Sequence, residues 1–241
     1  MGFAEWLAAY RRLASRVVHV CSVCGRPMTS SFYRASTGET YCARHAGERP
    51  CLCCGMPSDS RLVMEIPLCG RCAATAVRDQ AAVKRVLPPI AKRIRALSIR
   101  TTTPVRVRLV VRDELRSHHP EGANALGMTI STGTRVLDLM VVRDLPLVQF
   151  GSTVAHEVMH AYLAQQGFGV LPPPVAEGLC QLLAYAWLRD QPDPLAAVER
   201  RRIAEDPGPV YGDGFRAARA ASQRLGVRAM LDHVRRNGAF P

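Results

Sequence analysis

Four pairs of metal-ligating residues crowd into about fifty residues near the start of the chain: Cys21/Cys24, Cys42/His45, Cys51/Cys54 and Cys69/Cys72. Eight donors at CxxC or CxxH spacing are enough for two tetrahedral zinc ions with closed, structural coordination. A segment this short and this poor in large apolar residues has too little core to fold without such staples. Two of the knuckles repeat one another, Cys21-Ser22-Val23-Cys24-Gly25-Arg26-Pro27 against Cys51-Leu52-Cys53-Cys54-Gly55-Met56-Pro57. The repeat pairs Cys51 with Cys54 and leaves Cys53 spare. The glycine after each second cysteine suits the tight turn that aims backbone amides at thiolates.

A second metal pattern lies far downstream, in Val154-Ala155-His156-Glu157-Val158-Met159-His160-Ala161-Tyr162. On a helix His156 and His160 project from one face a turn apart, as a single zinc requires, and Glu157 is placed to take a proton from water. Such a string also arises on ordinary amphipathic helices. Here the surrounding Phe150, Val154, Ala155, Val158, Met159, Ala161 and Leu163 point to a buried helix, where unpartnered imidazoles and a carboxylate are costly. A catalytic zinc takes a third protein ligand and leaves one position open. After Gly167-Phe168-Gly169 and Pro172-Pro173-Pro174, the stretch from Val175 to Leu188 reads as a second buried helix with one carboxylate, Glu177, in its first turn. An antiparallel return would bring Glu177 to the two histidines, the glutamate-zincin arrangement. The alternative is a solvated helix N-terminal charge. Cys180, one turn on, reads as a core thiol.

At 241 residues and 48% hydrophobic content, the chain has room for one medium domain and a small one. The expected division is an amphipathic helix over 1–20, a zinc module over 21–78 and a second domain over 79–241. No apolar run approaches the roughly 20 residues of a membrane span. The first residues lack the layout of a signal peptide, and cysteines arranged for zinc suit a reducing compartment, so a cytoplasmic protein is expected. The net charge is +12 and rests on arginine, with lysine only at Lys84 and Lys92. That balance fits acidic partners, nucleic acid included, and fits codon bias in a GC-rich bacterial genome equally well.

In order along the chain, Phe3, Trp6, Leu7, Tyr10, Leu13, Ala14 and Val17 recur at helical spacing. Beyond the cysteines, Ala73 to about Leu97 is helical, with a break expected at Pro88-Pro89. Strands are expected over Thr103 to Val111, Ala125 to Ile130 and Arg135 to Val142, the second lying along a substrate cleft. Ser117 to Gly122, with His118 and His119, reads as a loop. Arg189 to Pro209 is charged and proline-containing. Asp213 is placed to cap a helix over Phe215 to Arg224, and a last helix over about Val227 to Arg236 carries His233. Tyr211 is a candidate to stabilise an oxyanion from outside the zinc shell, or a tyrosine packing a turn.

The double zinc module followed by HEVMHAYLAQQGF, VAEGLCQLLAYAWL and YGDGFRAA resembles the LIM-domain peptidases of plants that limit organ growth, the DA-one family, from about Cys21 to Pro241. The resemblance implies an α+β protein: a small LIM-like double zinc module followed by a zincin-like metallopeptidase domain. It further implies His156, His160 and Glu177 as ligands of one catalytic zinc, Glu157 as base, and protein as substrate. Five residues separate His45 from Cys51, where a typical LIM domain has two. The plant members carry ubiquitin-interacting helices and a further LIM domain ahead of the matched part, so activation by ubiquitin is not expected to carry over. The arginine bias suggests a bacterial homologue with another trigger.

Two rivals remain at this point. One is a DNA-associated zinc protease of the SprT type, favoured by the basic charge, although such proteins place a third histidine where this chain has Glu177. The other is a non-enzymatic adaptor that binds protein or nucleic acid through the zinc module.

Overall fold

The computed structural model describes residues 19–28, 31–118 and 125–241. The amphipathic helix expected over the first residues, and His119, lie outside the described residues.

Backbone order in the cysteine-rich part comes from short hairpins rather than long elements. β1 (His19–Val20) pairs with β2 (Pro27–Met28), and β3 (Phe32–Arg34) with β4 (Thr40–Cys42), both antiparallel. A 3-10 turn follows at Ala43–His45, and helix α1 (Gly70–Ala74) carries the last cysteine. The two repeated knuckles fold alike. Gly25 N–H donates to Cys21 O at 2.8 Å and Gly55 N–H to Cys51 O at 3.0 Å, and both glycines have positive φ, 71° and 78°. The two lobes are joined where Ser36 N–H donates to Cys54 O at 2.9 Å.

The chain then pairs with a distant segment before its first long helix. β5 (Ala76–Val77) is antiparallel to β9 (Leu145–Pro146), so the helical reading from Ala73 to Leu97 is interrupted. α2 (Gln80–Ala96) starts at Asp79, whose carboxylate accepts from Ala82 N–H at 2.7 Å. It runs unbroken through Pro88 and Pro89. Both prolines are exposed, and water can take the carbonyls that lose their helical donors.

A three-stranded sheet in the order β6-β8-β7 supports the rest. β6 (Val107–Val110) is parallel to the central β8 (Arg135–Val142), and β7 (Gly127–Thr132) is antiparallel to β8 with an irregularity at Ile130/Ser131. The second half of β8, Leu139 to Val142, is fully buried, as suits a central strand covered on both faces. β7 is the edge. Between β6 and β7, α3 (Arg112–His118) puts Ser117 and His118 on a helix rather than in the expected loop.

Five helices complete the fold: α4 (Leu147–Gln165), α5 (Pro173–Leu188), α6 (Pro194–Glu205), α7 (Gly212–Leu225) and α8 (Val227–Asn237). α6 stands where sequence reading saw only charge and proline. Asp193 caps it through Leu195 N–H at 2.8 Å, and Pro194 is its first residue. α4 and α5 pack together through fully buried Phe150, Val154, Ala155, Leu179 and Cys180; burying a side chain such as Phe150 is worth about 2–3 kcal/mol. Asp213 lies inside the first turn of α7, paired with Arg216, so it is not the helix cap expected of it. The architecture is mixed helix and strand around one continuous buried core, with clusters of cysteine able to bind zinc. Among the described residues, no helix is long and apolar enough to cross a membrane.

Candidate metal centres and active site

The eight expected donors of the cysteine-rich part gather into two groups, Cys21 with Cys24, Cys42 and His45, and Cys51 with Cys54, Cys69 and Cys72. In each, the ligand atoms lie within 4.8 Å of one another. A tetrahedral zinc with Zn–S bonds of about 2.3 Å sets its sulfurs about 3.8 Å apart. Cys54 Sγ lies 3.6 Å from Cys69 Sγ and 3.7 Å from Cys72 Sγ, so the second group is already at zinc spacing. All four of its cysteines are buried. Cys53, also buried, is outside the group.

His45 completes the first group in a way that sequence reading missed. Its Nδ1 lies 2.6 Å from Glu48 Oε1, while Nε2 is buried without a hydrogen-bond partner. A carboxylate on one ring nitrogen fixes the tautomer that leaves the other free to ligate. The nearby His45 imidazole also holds the Cys24 thiol down at about 6. Glu48, three residues after a ligand histidine, was a readable signal.

The third centre is assembled from two helices. α4 presents His156 and His160 one turn apart, with ring centroids 5.1 Å from each other. α5 returns beside it and brings Glu177, in its second turn rather than its first, to both. Oε2 lies 3.1 Å from His156 Nε2, and Oε1 lies 3.4 Å from His160 Nε2. Zinc bonds to nitrogen and oxygen of about 2.0–2.1 Å give tetrahedral edges of about 3.3–3.4 Å, close to these two contacts, which use different oxygens of the carboxylate; the tightest cluster of possible ligand atoms here is His156, His160 and Cys180. Glu177 Oε2 is buried without a hydrogen-bond partner, which a cation between these groups would remedy. Burial pushes the Glu177 carboxyl up, but the two imidazoles outweigh it and leave it at about 2. It is therefore a carboxylate, as ligation requires.

Cys180 is fully buried on α5, yet its sulfur comes within 4.8 Å of ligand nitrogens of His156 and His160. It is more than the plain core thiol expected. Burial pushes that thiol up to about 11. His118 and His233 join no metal-capable group among the described residues.

Two further residues approach the centre. Tyr211, just ahead of α7, places its ring 6.4 Å from that of His156. Burial, with help from the Glu177 and Glu157 carboxylates, pushes its phenol up to about 12, so it keeps its proton at neutral pH. It is seated by the close approach of α5 and α7, where Gly178 and Gly214 meet backbone to backbone. Glu157 is buried beneath β7, where its carboxylate contacts Thr129. Nothing in the sequence marks Thr129, because that contact depends on strand register.

Comparisons with known proteins bear on the family of the chain. A family model described as DA1-like (Protein DA1) matches residues 118–200 and 191–237. The chain is similar to Protein DA1-related 2 of Arabidopsis thaliana, 32% identical over 164 residues that cover 54% of this chain and 31% of the relative. Similarity to Protein DA1 of Arabidopsis thaliana is 32% over 158 residues, covering 52% of this chain and 30% of that one. LIM domain-containing protein HDR3 of Oryza sativa subsp. japonica aligns over 321 residues at 25% identity, covering 96% of this chain and 64% of the relative. The chain thus spans about a third of the two Arabidopsis proteins and under two thirds of the rice protein. These relatives are plant proteins, and the bacterial source suggested by the arginine bias is not borne out. No solved structure matches the chain. The segment 118–237, which carries His156, Glu157, His160, Glu177 and Tyr211, belongs to the DA1-like family.

Proposed function

We propose that the protein is a zinc-dependent peptidase that hydrolyses peptide bonds in protein substrates, and that its cysteine-rich part is a LIM-like module with two structural zincs for recognising a substrate or regulatory partner. The observation that supports this reading is the approach of the two Glu177 carboxylate oxygens to the Nε2 atoms of His156 and His160, at 3.1 and 3.4 Å, with a separate carboxylate, Glu157, next to the first histidine. The domain division proposed with it is a LIM-like module over 21–78 and a zincin-like domain over 79–241. All nine cysteines are free, which suits a reducing compartment such as the cytoplasm.

His156, His160 and Glu177 would hold the catalytic ion, which when bound acts as a Lewis acid and lowers the pKa of water to about 7. Glu157 takes the proton from the attacking water on a carboxylate oxygen and returns it to the leaving amine nitrogen. The protonated Tyr211 phenol donates to the oxyanion that forms at the substrate carbonyl. The outer edge of β7, unpaired among the described residues, lies beside the helix that carries Glu157 and offers backbone groups to an extended peptide.

The test compares two variants for bound zinc and for cleavage of an unstructured protein such as casein. Glu157→Gln should keep the zinc and lose cleavage, because a base only moves protons; Glu177→Ala should lose both, because a ligand holds the metal. A Glu177→Ala protein that kept its zinc and its activity would overturn the ligand assignment. A Glu157→Gln protein as active as the parent would overturn the peptidase.

A further inference from the structure

β7 grips the active-site helix at one place. Thr129 Oγ1 lies 2.9 Å from Glu157 Oε2 and 2.9 Å from the Glu157 carbonyl oxygen. Gly127, two residues earlier and so on the same face of the strand, sits against the other side of that side chain. A β-carbon there would fall 2.7 Å from Thr153 Cγ2, 2.8 Å from Glu157 Cγ and 2.9 Å from Glu157 Oε1. Any larger side chain would have to push Thr153 and Glu157 aside. Glu157 is 5% exposed, whereas His156, His160 and Glu177 are only partly buried.

A glutamate has three side-chain torsions, and a carboxylate free to turn would spend much of its time out of reach of the water it must deprotonate. Proton transfer needs a heavy-atom approach of about 2.6–3.2 Å, and ordering a flexible glutamate side chain costs conformational entropy. Here that ordering is built into the fold. The Thr129 hydroxyl has one hydrogen to give. The Glu157 carbonyl already lies within the hydrogen-bond ladder of α4, so the carboxylate has the greater need of it, since a buried carboxylate is costly unless hydrogen-bonded. Gly127 leaves the room into which Cγ and Oε1 fit.

We propose that Thr129 and Gly127 are positioning residues for the general base: the edge strand fixes the Glu157 carboxylate by a hydroxyl on Oε2 and a bare Cα beside Oε1. The proposal rests on the zinc-peptidase reading. Neither residue touches the metal ligands, so both act through Glu157.

Thr129→Val keeps the shape and removes the hydroxyl. In the zinc-loaded protein it should lower kcat by about tenfold to a hundredfold, the range of one hydrogen bond to a charged group. KM should stay within about twofold, and bound zinc should be unchanged. Thr129→Ser should restore most of the rate. A second measurement does not depend on cleavage: calorimetric affinity for acetohydroxamic acid, a zinc ligand whose proton is taken up by the neighbouring base, in the parent, Thr129→Val, Glu157→Gln and the double variant. Thr129→Val should weaken binding in the parent and add nothing in the Glu157→Gln background.

Equal weakening in both backgrounds would overturn the proposal, as would a Thr129→Val protein indistinguishable from the parent, or a kcat loss that serine does not restore. A parent protein that bound zinc and hydroxamate but cleaved no peptide would end the peptidase reading, and the hydroxamate cycle would still decide the role of Thr129. Gly127→Ala should reproduce the Thr129→Val pattern where it folds.

Discussion

A β-carbon on Gly178 would fall 2.3 Å from the carbonyl oxygen of Gly214, and one on Gly214 would fall 2.2 Å from the carbonyl oxygen of Pro174. These contacts are between backbones, which cannot swing aside as a side chain can. Gly214→Ala should therefore push α7 off α5, at the cost of about 1–3 kcal/mol typical of overpacking. In a chain of this size each kcal/mol lowers Tm by about 2–4 °C, which a thermal melt will register. Tyr211 moves with α7, so the proposed cleavage rate should fall with zinc still bound.

The Glu48 carboxylate, 2.6 Å from His45 Nδ1, should matter to metal affinity without being a ligand. Glu48→Gln is expected to weaken zinc at the first cysteine group by about tenfold to a hundredfold. Competition against a chromophoric chelator measures this, and the second group, held by four cysteines, should be unaffected.

Metal removal should be stepwise. Three zincs per chain are expected at saturation, and gentle chelation should take the ion of His156, His160 and Glu177 first, since three ligands hold it less completely than four. Elemental analysis and circular dichroism together check this: the first loss should leave the fold intact, and the next two should not. A protein that saturates at two zincs, both lost only on unfolding, would contradict the third centre.

Glu199, which belongs to no metal-capable group among the described residues but borders Cys53, supplies a dependence on pH. Burial pushes its carboxyl up, against the opposing effects of Arg202 and of Gln149, whose amide, turned to donate, lies 3.0 Å from both carboxylate oxygens. A carboxyl whose folded pKa is raised contributes its full stability below the unfolded value of about 4.3 and loses it as pH climbs through the folded value. The Tm advantage of the parent over Glu199→Gln should therefore shrink as pH rises from about 4 to neutral. An advantage that grew with pH would mean that the ion pair with Arg202, at 2.8 Å, outweighs the burial.

What could be read from the chain beforehand was whatever spacing alone determines. The cysteine pairs, the strand over Arg135 to Val142, the strand expected over Ala125 to Ile130 and found at Gly127–Thr132, and the helical placement of His156 and His160 need no knowledge of tertiary contacts. Reading failed where one local signal masked another. The charge and prolines of 189–209 hid α6, although Asp193-Pro194 is a regular helix start. Pro88-Pro89 announced a break that an exposed helix face absorbs. Thr129 and Gly127 were invisible for a different reason: their partner is distant in sequence, 28 residues on from Thr129, and which strand residues face α4 is settled by register.

The ribbon between Ala76–Val77 and Leu145–Pro146 has a consequence for how the chain can be divided. Asp144 N–H donates to Val77 O at 2.9 Å and Leu147 N–H to Thr75 O at 3.0 Å, so the residues that lead straight into the HExxH helix are hydrogen-bonded to the segment that follows Cys72, the last member of the second cysteine group. Cut before residue 79, the remaining chain would keep every side chain of the proposed active site and lose the carbonyls that satisfy this lead-in. The bare strand would be an adhesive edge, open to any other strand in solution. Self-association of such a fragment, rather than its inactivity, would be the first sign that the knuckle acts as a built-in chaperone for the start of the helix.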